Sequence, residues 1–484
     1  MRGFCVGLAM AAVSMAEGVW AADPPSDPSQ AELWQDYANP FDGYLRDRQI
    51  GRLPDDGIDP AISTTSEIAA AASESVGEAI RAALAYDPAL RVAEAGIAQA
   101  SAARLRAAGQ FLPDVEASLT YTDESWQRAS VPAAAIANRG GTTLEITARQ
   151  PLFQGFSTFN RFRAERSRYA AAEWLYEAER LSTALEAASA HAEVVFATEI
   201  LRHRQSNLAL VRQQQTIAEK RQAAGAQSRT GVEQARLRVA QAEIDLAAAR
   251  AELARRQARY TRLTGRSRDA NFAPDMIKPL DEGATLETVF AHVRGQNPFV
   301  QAAEAGWEGA KYGVAAARGS FAPSVTLEGS YLQYQDDLDP GLGLAGVGDE
   351  DLRVVARLTL PIGSQNNNRA ALRSAKAQLA SEKAQARTVL LEAEERAVQF
   401  WHQRAEAALR REAAAAGVKA AADAVRGLQL EYSAGQRTVI DVLDSQRDLV
   451  QAEIAASRAD LDYRLSHYEL AAVTGALIDL YTAP

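Results

Sequence analysis

The sequence predicts an α+β membrane protein whose chain supplies four strands to a shared β-barrel and long coiled-coil helices to a tunnel that continues it. Three observations lead to this fold class. The chain is an internal tandem repeat, it has four segments of about ten residues in which apolar and polar side chains alternate, and it has two long proline-free stretches that end in heptad spacing. Each repeat therefore supplies two strands and one pair of long helices.

The two repeats are residues 75–265 and 285–475, which align without gaps at an offset of 210 residues. The matching positions include prolines, glycines and aromatic residues: Pro88/Pro298, Gly109/Gly319, Phe111/Phe321, Pro113/Pro323, Pro151/Pro361, Gly225/Gly435 and Gly265/Gly475. A repeat of this length is too long for a solenoid unit, which spans roughly 20 to 50 residues. The chain is therefore predicted to be a duplication of one large element.

The bulk composition excludes several classes of protein. Among 484 residues, 52 Lys and Arg stand against 62 Asp and Glu, and the net charge of −10 argues against non-specific binding to nucleic acid. The single cysteine, Cys5, lies near the N-terminus, so we predict no disulfide framework and no lipid-attachment cysteine. The sequence shows no nucleophile–base arrangement and no metal-ligand spacing, so we predict no enzyme, no cofactor and no metal site.

Four segments lie outside the repeats. Residues 1–22 combine a basic start, a short apolar stretch and small residues, which is typical of a secretory signal peptide. Residues 23–74 are rich in Pro, Asp, Ser and Gly and are predicted to form an extended arm. Residues 266–284 are predicted to be a linker and 476–484 a short tail. No segment reaches the roughly 20 apolar residues of a spanning helix, so an exported chain of this kind is either soluble or inserts as a β-barrel.

Each repeat begins with a helical pattern, broken at Pro88 in the first copy, and continues into two alternating strands. In the first copy the strands are predicted within residues 113–151, with Pro151 ending the second strand, and in the second copy within residues 323–361. The alternation is clear in the first strand, where Val115, Ala117, Leu119 and Tyr121 alternate with Glu116, Ser118, Thr120 and Thr122. A period of two predicts strands with one apolar face and one polar face.

A very long helix follows the strands of each repeat. Residues 155–223 contain no proline, and an unbroken helix of that length would extend about 100 Å. After Gly225 the pattern resumes as a heptad seam formed by Val232, Val239, Leu246, Leu253 and Tyr260 with Ala235, Ala242, Ala249, Arg256 and Leu263. The second copy repeats the seam as Val442, Leu449, Ala456, Tyr463 and Leu470 with Ser445, Ala452, Ala459, Ser466 and Val473. This spacing predicts a coiled coil, and the small residues in it predict closely approaching helices.

The number of strands predicts the number of chains. Four strands cannot close a barrel, and open edges are not tolerated in lipid, so several chains must share one barrel. A dimer would supply eight strands, whose interior side chains fill, whereas a trimer would supply twelve and leave a lumen. The sequence therefore predicts a homotrimer with a 12-stranded barrel, in which the apolar strand faces contact lipid and the polar faces contact water.

The arrangement of the two repeats and the segment Tyr432–Asp444 resemble the TolC-like outer membrane factor family, also called outer membrane efflux proteins. The resemblance covers nearly all of residues 75–475. It implies a trimeric exit duct with a β-barrel in the outer membrane and a helical tunnel in the periplasm. It also implies two partners: a periplasmic adaptor (a membrane fusion protein) and an inner-membrane pump, either of the ABC type or driven by protons.

The resemblance further implies a gate at the periplasmic helix tips. In that family the corresponding tyrosine and arginine hold the tip helices closed, and two aspartates form rings across the narrowest point. Here these residues are Tyr432 and Arg437, expected to be latches, and Asp441 and Asp444, expected to be constriction carboxylates. The two aspartates lie one turn apart on a helix, so they share a face and threefold symmetry would stack them in rings that favour cations.

The first repeat departs from the family pattern at one position. The latch of the family often includes an aspartate that follows a threonine, but here Thr230 is followed by Gly231, so a partner of Arg437 is missing although Glu233 is close in sequence. Gly225 and Gly435 are predicted to be the helix-tip turns, which is also what ordinary helix caps would require. Without the resemblance, the two aspartates would be interpreted as ordinary solvated acids near a helix start.

Three functions remain open at this point. Export of a secreted protein through type I secretion, for example of a repeat-containing toxin, is favoured by the resemblance of Tyr432–Asp444 and by the lack of a lipid-attachment cysteine. The first alternative is the outer-membrane component of a multidrug or metal efflux pump. The alternative of another class is a soluble periplasmic coiled-coil adaptor, which the heptads permit but the four alternating strands do not favour.

Overall fold

The computed structural model describes residues 74–125, 138–225, 228–266, 272, 277, 285–337, 348–363 and 365–482. The signal peptide at 1–22, the arm up to residue 73 and most of the linker at 266–284 lie outside the described residues. Within the described residues, no helix is both long enough and apolar enough to cross a membrane.

The order of elements repeats as the sequence predicts. The first repeat comprises α1 (Val76–Tyr86), α2 (Pro88–Gly109), β1 (Asp114–Ser125), β2 (Asn138–Gln154), α3 (Ser157–Ala223) and α4 (Arg229–Thr264). The second comprises α5 (Leu286–Gln296), α6 (Pro298–Gly319), β3 (Ser324–Asp337), β4 (Gly348–Thr359), α7 (Gln365–Ser433) and α8 (Val439–Val473), and α9 (Leu477–Thr482) follows it.

The chain divides into two compact units. The described residues of the first unit fall in Gln99–Tyr169 and Glu308–Ala380, which include the sheet. Those of the second unit fall in Thr65–Ala98, Ala170–Trp307 and Ser381–Pro484, which contain the helix tips and the short helices α1, α5 and α9.

The sheet of the first unit has the order β1-β2-β3-β4, and each neighbouring pair is antiparallel. Its register places apolar residues opposite one another: Ala117 pairs with Ile146, Ile146 with Tyr331, and Tyr331 with Leu352. The adjacent row on the other face is polar and consists of Glu116, Thr147, Ser330 and Arg353. The predicted alternation is confirmed, because a one-residue error in any register would have mixed the two faces.

The prediction that Pro151 ends its strand is wrong. Strand β2 continues to Gln154, and its register against β3 shifts between Pro151 and Phe153. Proline has no N–H for a ladder hydrogen bond, so a strand tolerates it where a bulge interrupts the pairing. Pro361, in contrast, does follow the end of β4 at Thr359.

The heptad seam is confirmed in α4 but is incomplete in α8. In α4, seven of the ten seam positions are buried and Val239, Leu253 and Arg256 are half-buried. In α8 the seam residues Leu449, Ala452, Ala456 and Tyr463 are only half-buried, whereas Val450, Ser457 and Leu461 outside the seam are buried. Helix α8 contributes to two separate apolar clusters, one with α1 and α3 and the other with α5 and α7. It therefore packs on more than one face, whereas a single heptad seam describes a helix with one packing face.

The segment predicted to be a short tail forms helix α9, which packs into the core of the second unit. Leu477 and Tyr481 are buried in a cluster with Ile80 of α1 and Tyr468 of α8, and the rings of Tyr468 and Tyr481 meet edge to face at 5.4 Å. The sequence pattern of six residues is too short to predict a helix, so this packing is visible only in the structure.

We expect Leu477→Ala to destabilise the second unit by about 2–5 kcal/mol, since it removes a fully buried side chain from a formed cluster. The measurement is the free energy of unfolding by urea in detergent. The matched control is Asp479→Ala, because Asp479 lies on the same helix but is exposed, and its change should stay below about 1 kcal/mol. Equal losses in the two variants would show that α9 is not packed as described.

Candidate functional site

The candidate site is the end of the long helices in the second unit, where α3 meets α4 and α7 meets α8. Gly225 and Gly435 follow the last residues of α3 and α7 with φ of +73° and +79°, the left-handed conformation that glycine adopts without strain. The amide of Gly435 donates to the carbonyl of Tyr432 at 3.1 Å, and that of Gln436 donates to Glu431 at 2.9 Å. Both glycines thus have left-handed backbone just after the ends of α3 and α7, at the positions where the sequence predicts the tip turns.

One apolar cluster joins all four helices at this end. It contains Leu208, Val211 and Ala218 of α3, Val232, Ala235, Ala242 and Leu246 of α4, Tyr432 of α7, and Val439, Val442 and Leu443 of α8. Because side chains from both repeats share the cluster, separating the first-repeat pair (α3 and α4) from the second-repeat pair (α7 and α8) would expose apolar surface to water.

Tyr432 is buried in this cluster, and the guanidinium of Arg221 lies 4.2 Å from the centre of its ring. A cation at this distance is attracted by the face of an aromatic ring. The hydroxyl of Tyr432 has no hydrogen-bond partner among the described residues. The contact that Tyr432 makes across the two repeats is therefore through its ring.

Asp441 is the third residue of α8 and forms a capping box with Thr438. The backbone N–H and the hydroxyl of Thr438 donate to Asp441 Oδ2 at 2.9 and 2.8 Å, and the Asp441 amide donates to the Thr438 hydroxyl at 3.4 Å. The pKa of Asp441 lies below its ordinary value, mainly because the backbone N–H of Thr438 donates to the carboxylate. The Thr438 hydroxyl and the nearby charge of Arg437 lower the pKa further. The carboxylate is therefore ionised and fixed in orientation at the helix start.

The equivalent box in the first repeat is incomplete. The Ser228 hydroxyl accepts from the Gly231 amide at 3.2 Å, but glycine has no side chain to return the bond. The upstream caps show the complete form in both copies, Ser75 with Glu78 and Thr285 with Thr288. Gly231 therefore leaves the Ser228 cap in place but removes the returning bond of the box and a carboxylate from the start of α4.

Arg437 lies in the turn between α7 and α8, and its Nε donates to Glu431 Oε2 at 2.8 Å. This hydrogen bond with Glu431 raises the pKa of Arg437 above its ordinary value. Glu233 is the residue that the sequence offers in place of the missing aspartate as a partner of Arg437. Its Oε1 instead lies 3.1 Å from Nη1 of Arg236 on the same helix. Within the described residues Arg437 therefore has a partner from its own helix pair.

Asp444 lies one turn after Asp441 and forms an ion pair with Arg238 of α4 at 2.6 Å. Arg238 is not among the residues predicted from the sequence, although it immediately precedes the seam residue Val239, a position where coiled coils often place interhelical charges. Thr230 lies in the exposed first turn of α4 and, among the described residues, makes no hydrogen bond with the other predicted site residues. The structure thus places four of the predicted residues between the end of α7 and the first turns of α8, and Thr230 in the first turn of the neighbouring helix α4.

Comparisons with known proteins agree with this architecture. The family model described as outer membrane efflux protein matches residues 79–266 and 290–476, one match in each repeat. The chain is 27% identical over 359 residues to the outer membrane efflux protein BepC of Brucella suis biovar 1 (strain 1330), a similarity that covers 72% of this chain and 75% of BepC.

Three solved structures have the same fold at low identity. CusC, studied for transmembrane channel formation, is 19% identical with a TM-score of 0.74 and covers 83% of this chain and 92% of its own. The CmeC outer membrane channel of Campylobacter jejuni is 17% identical with a TM-score of 0.73, covering 83% of this chain and 86% of its own. VceC of Vibrio cholerae is 20% identical with a TM-score of 0.70, and the match covers 83% of this chain and 96% of VceC. The predicted fold class, strands of a membrane barrel joined to long tunnel helices in a tandem repeat, is confirmed.

Proposed function

Because this chain belongs to the outer membrane efflux protein family, we propose that it is the outer-membrane exit duct of a tripartite export system and that its cargo is a secreted protein. The family consists of channels rather than enzymes, and its members extend from the outer membrane into the periplasm. Channels of the family are homotrimers that work with a periplasmic adaptor and an inner-membrane pump. These features agree with the expectations for class, location and type of partner.

The observation that supports a duct most directly is the two-faced sheet. One face presents exposed apolar side chains, among them Leu119, Val354 and Leu358, each at least 66% exposed. On the other face Glu328 binds Arg149 at 2.7 Å and Arg357 at 3.1 Å. Within the described residues β1 and β4 each pair on one side only, and such edges must be covered in lipid. Strands from two further copies would complete the barrel and direct the charged face to water.

The helix tips are proposed to be the periplasmic gate of this duct. Asp441 and Asp444 would form acidic rings at the constriction, and Tyr432, Arg437 and Thr230 would contribute to holding the tips closed, with Gly225 and Gly435 forming the turns. The fixed, ionised carboxylate of Asp441 supports this role, since a ring of oriented carboxylates attracts cations.

Two cargo classes remain candidates. A secreted protein is supported by the resemblance of Tyr432–Asp444 to the secretion and general-purpose branch of the family. Small toxic molecules, drugs or metal ions, are supported by the similarity to a relative described as an efflux protein. If the cargo is a protein, a strain without the gene is expected to lose secretion of that protein. Unchanged protein secretion together with increased drug sensitivity would favour efflux instead. The soluble periplasmic adaptor is not retained, because the family is one of outer-membrane channels.

The experiment that tests the proposed function is single-channel recording of the detergent-purified protein in a planar bilayer. We expect a small, cation-selective conductance that a trivalent cation such as hexamminecobalt blocks from the tip side. A protein that remains water-soluble and never conducts would overturn the proposed duct.

A further inference from the structure

Resting on the proposed gate, we infer that Gln446 makes the closed state of the helix tips metastable, because its amide is buried without a hydrogen-bond partner while the two helix pairs are together and gains water when they separate. Gln446 lies on α8 and is 4% exposed. Both its Nε2 and its Oε1 are buried, and neither has a hydrogen-bond partner among the described residues. The role is that of a neutral side chain inside the helix bundle and involves no ion pair.

Gln446 interrupts the apolar stripe through which α8 packs at this end. The stripe consists of the buried residues Val439, Val442, Leu443 and Val450. Gln446 follows Leu443 by three residues and precedes Val450 by four, so it lies on the same face of the helix. The first three residues of the stripe belong to the apolar cluster that joins α8 to α3, α4 and α7. Gln446 therefore lies on the face of α8 that meets the other helices, and its amide is closed off from water.

The first repeat has no counterpart to this buried amide. The residues that α4 contributes to the cluster are all Val, Ala or Leu. The position that aligns with Gln446 at the offset of 210 is Arg236, which is exposed and forms ion pairs with Glu219 and Glu233. The buried polar group is therefore not a consequence of the repeated helix pattern and belongs to the second copy.

Helix α3 contributes a further unpaired amide atom near the same end. Oε1 of Gln214 is buried and has no hydrogen-bond partner in the described part of the chain. Gln214 follows Val211 of the cluster by three residues, so the two side chains are neighbours on the helix surface. Together with the hydroxyl of Tyr432, unpaired polar atoms thus come from both helix pairs.

These unpaired atoms favour separation of the helix pairs. A buried amide without a partner loses the hydrogen bonds that it would make with water, whereas the apolar side chains around it are more stable out of water. When the pairs separate, water reaches both polar atoms of Gln446 and the loss is removed. Less free energy is therefore needed to open the tip than an entirely apolar stripe would require.

The test is single-channel recording of full-length variants at a voltage at which wild type shows both a low and a high conductance. The quantity measured is the ratio of time in the high-conductance state to time in the low-conductance state. Gln446→Met keeps an unbranched side chain of similar size and removes both polar atoms of the amide. We expect it to lower the ratio at least about tenfold and to raise the urea midpoint of unfolding in detergent.

The opposite change is Gln446→Glu, which places a carboxylate in the same interior. We expect a higher ratio than in wild type, because a buried unpaired charge is less favourable than a buried neutral amide. If wild type conducts in the low-conductance state alone, this variant decides: new high-conductance openings would support the inference, and their absence would overturn it.

Gln214→Met tests the inference at an independent position. We expect it to lower the ratio by a smaller factor than Gln446→Met, since a single atom of its amide is buried without a partner in the described part of the chain. The matched control is Gln451→Met, because Gln451 lies on the same helix as Gln446 but is exposed. Its ratio is expected to stay within about twofold of wild type.

Two results would contradict the inference and leave the duct standing. A ratio for Gln446→Met equal to or above that of wild type would show that the buried amide does not favour opening. A raised unfolding midpoint with an unchanged ratio would show that Gln446 affects global stability alone. A wild-type protein that never conducts would instead overturn the duct itself.

Discussion

Gly319→Ala is expected to abolish the assembled, detergent-resistant trimer, whereas Gly109→Ala, the same position in the first repeat, is expected to leave it intact. A methyl group on Gly319 would lie 2.8 Å from the amide nitrogen of Ser157, 2.9 Å from its Cβ, and closer still to the carbonyl oxygen of Gly155. Two of these atoms are backbone, so no rotamer change can relieve the overlap. A methyl group on Gly109 has no heavy-atom neighbour within 4 Å among the described residues.

The effect of Gly319→Ala is expected to be large because Gly319 ends α6 at the junction with β3 and meets the junction of β2 with α3. Gly155 there has a φ of +61° and Phe156 a φ of +62°, so the backbone of this junction has little freedom to shift. The measurement is gel mobility of unheated and heated samples together with sedimentation in detergent. A Gly319→Ala protein that assembles like wild type would show that this close approach is absent from the assembled channel.

Asp441→Ala combined with Asp444→Ala is expected to weaken block by hexamminecobalt by at least about tenfold and to reduce cation selectivity, because it removes both proposed acidic rings. Reversal potentials in a salt gradient and a blocker titration measure the two effects.

The control for this double variant must separate the charge of Asp441 from its capping role. Thr438→Ala removes the cap, at a cost of about 1 kcal/mol to the start of α8, and keeps both carboxylates. We expect Thr438→Ala to preserve most of the block. If block and selectivity of the double variant equal those of wild type, Asp441 and Asp444 do not lie at the constriction.

Much of the fold follows from the sequence because local rules decide it. The alternation in β1 predicts two faces, the absence of proline predicts α3, and the offset between the repeats predicts paired elements such as the tip turns at Gly225 and Gly435. These are properties of single segments, for which hydrophobic period and backbone conformation are sufficient. The family resemblance then directed attention to the tips.

The sequence by itself determined the repeat, the strands with their two faces, the long helices and the tip at which the acidic residues lie. Only the tertiary structure decided that Pro151 lies within a strand, that α9 packs in the core, that Gly319 and Gly109 have different surroundings, and that Asp444 pairs with Arg238. The physical reason is that each of these depends on which atoms of a distant segment come within a few ångströms. Two copies of one pattern can have the same local preferences and still meet different neighbours.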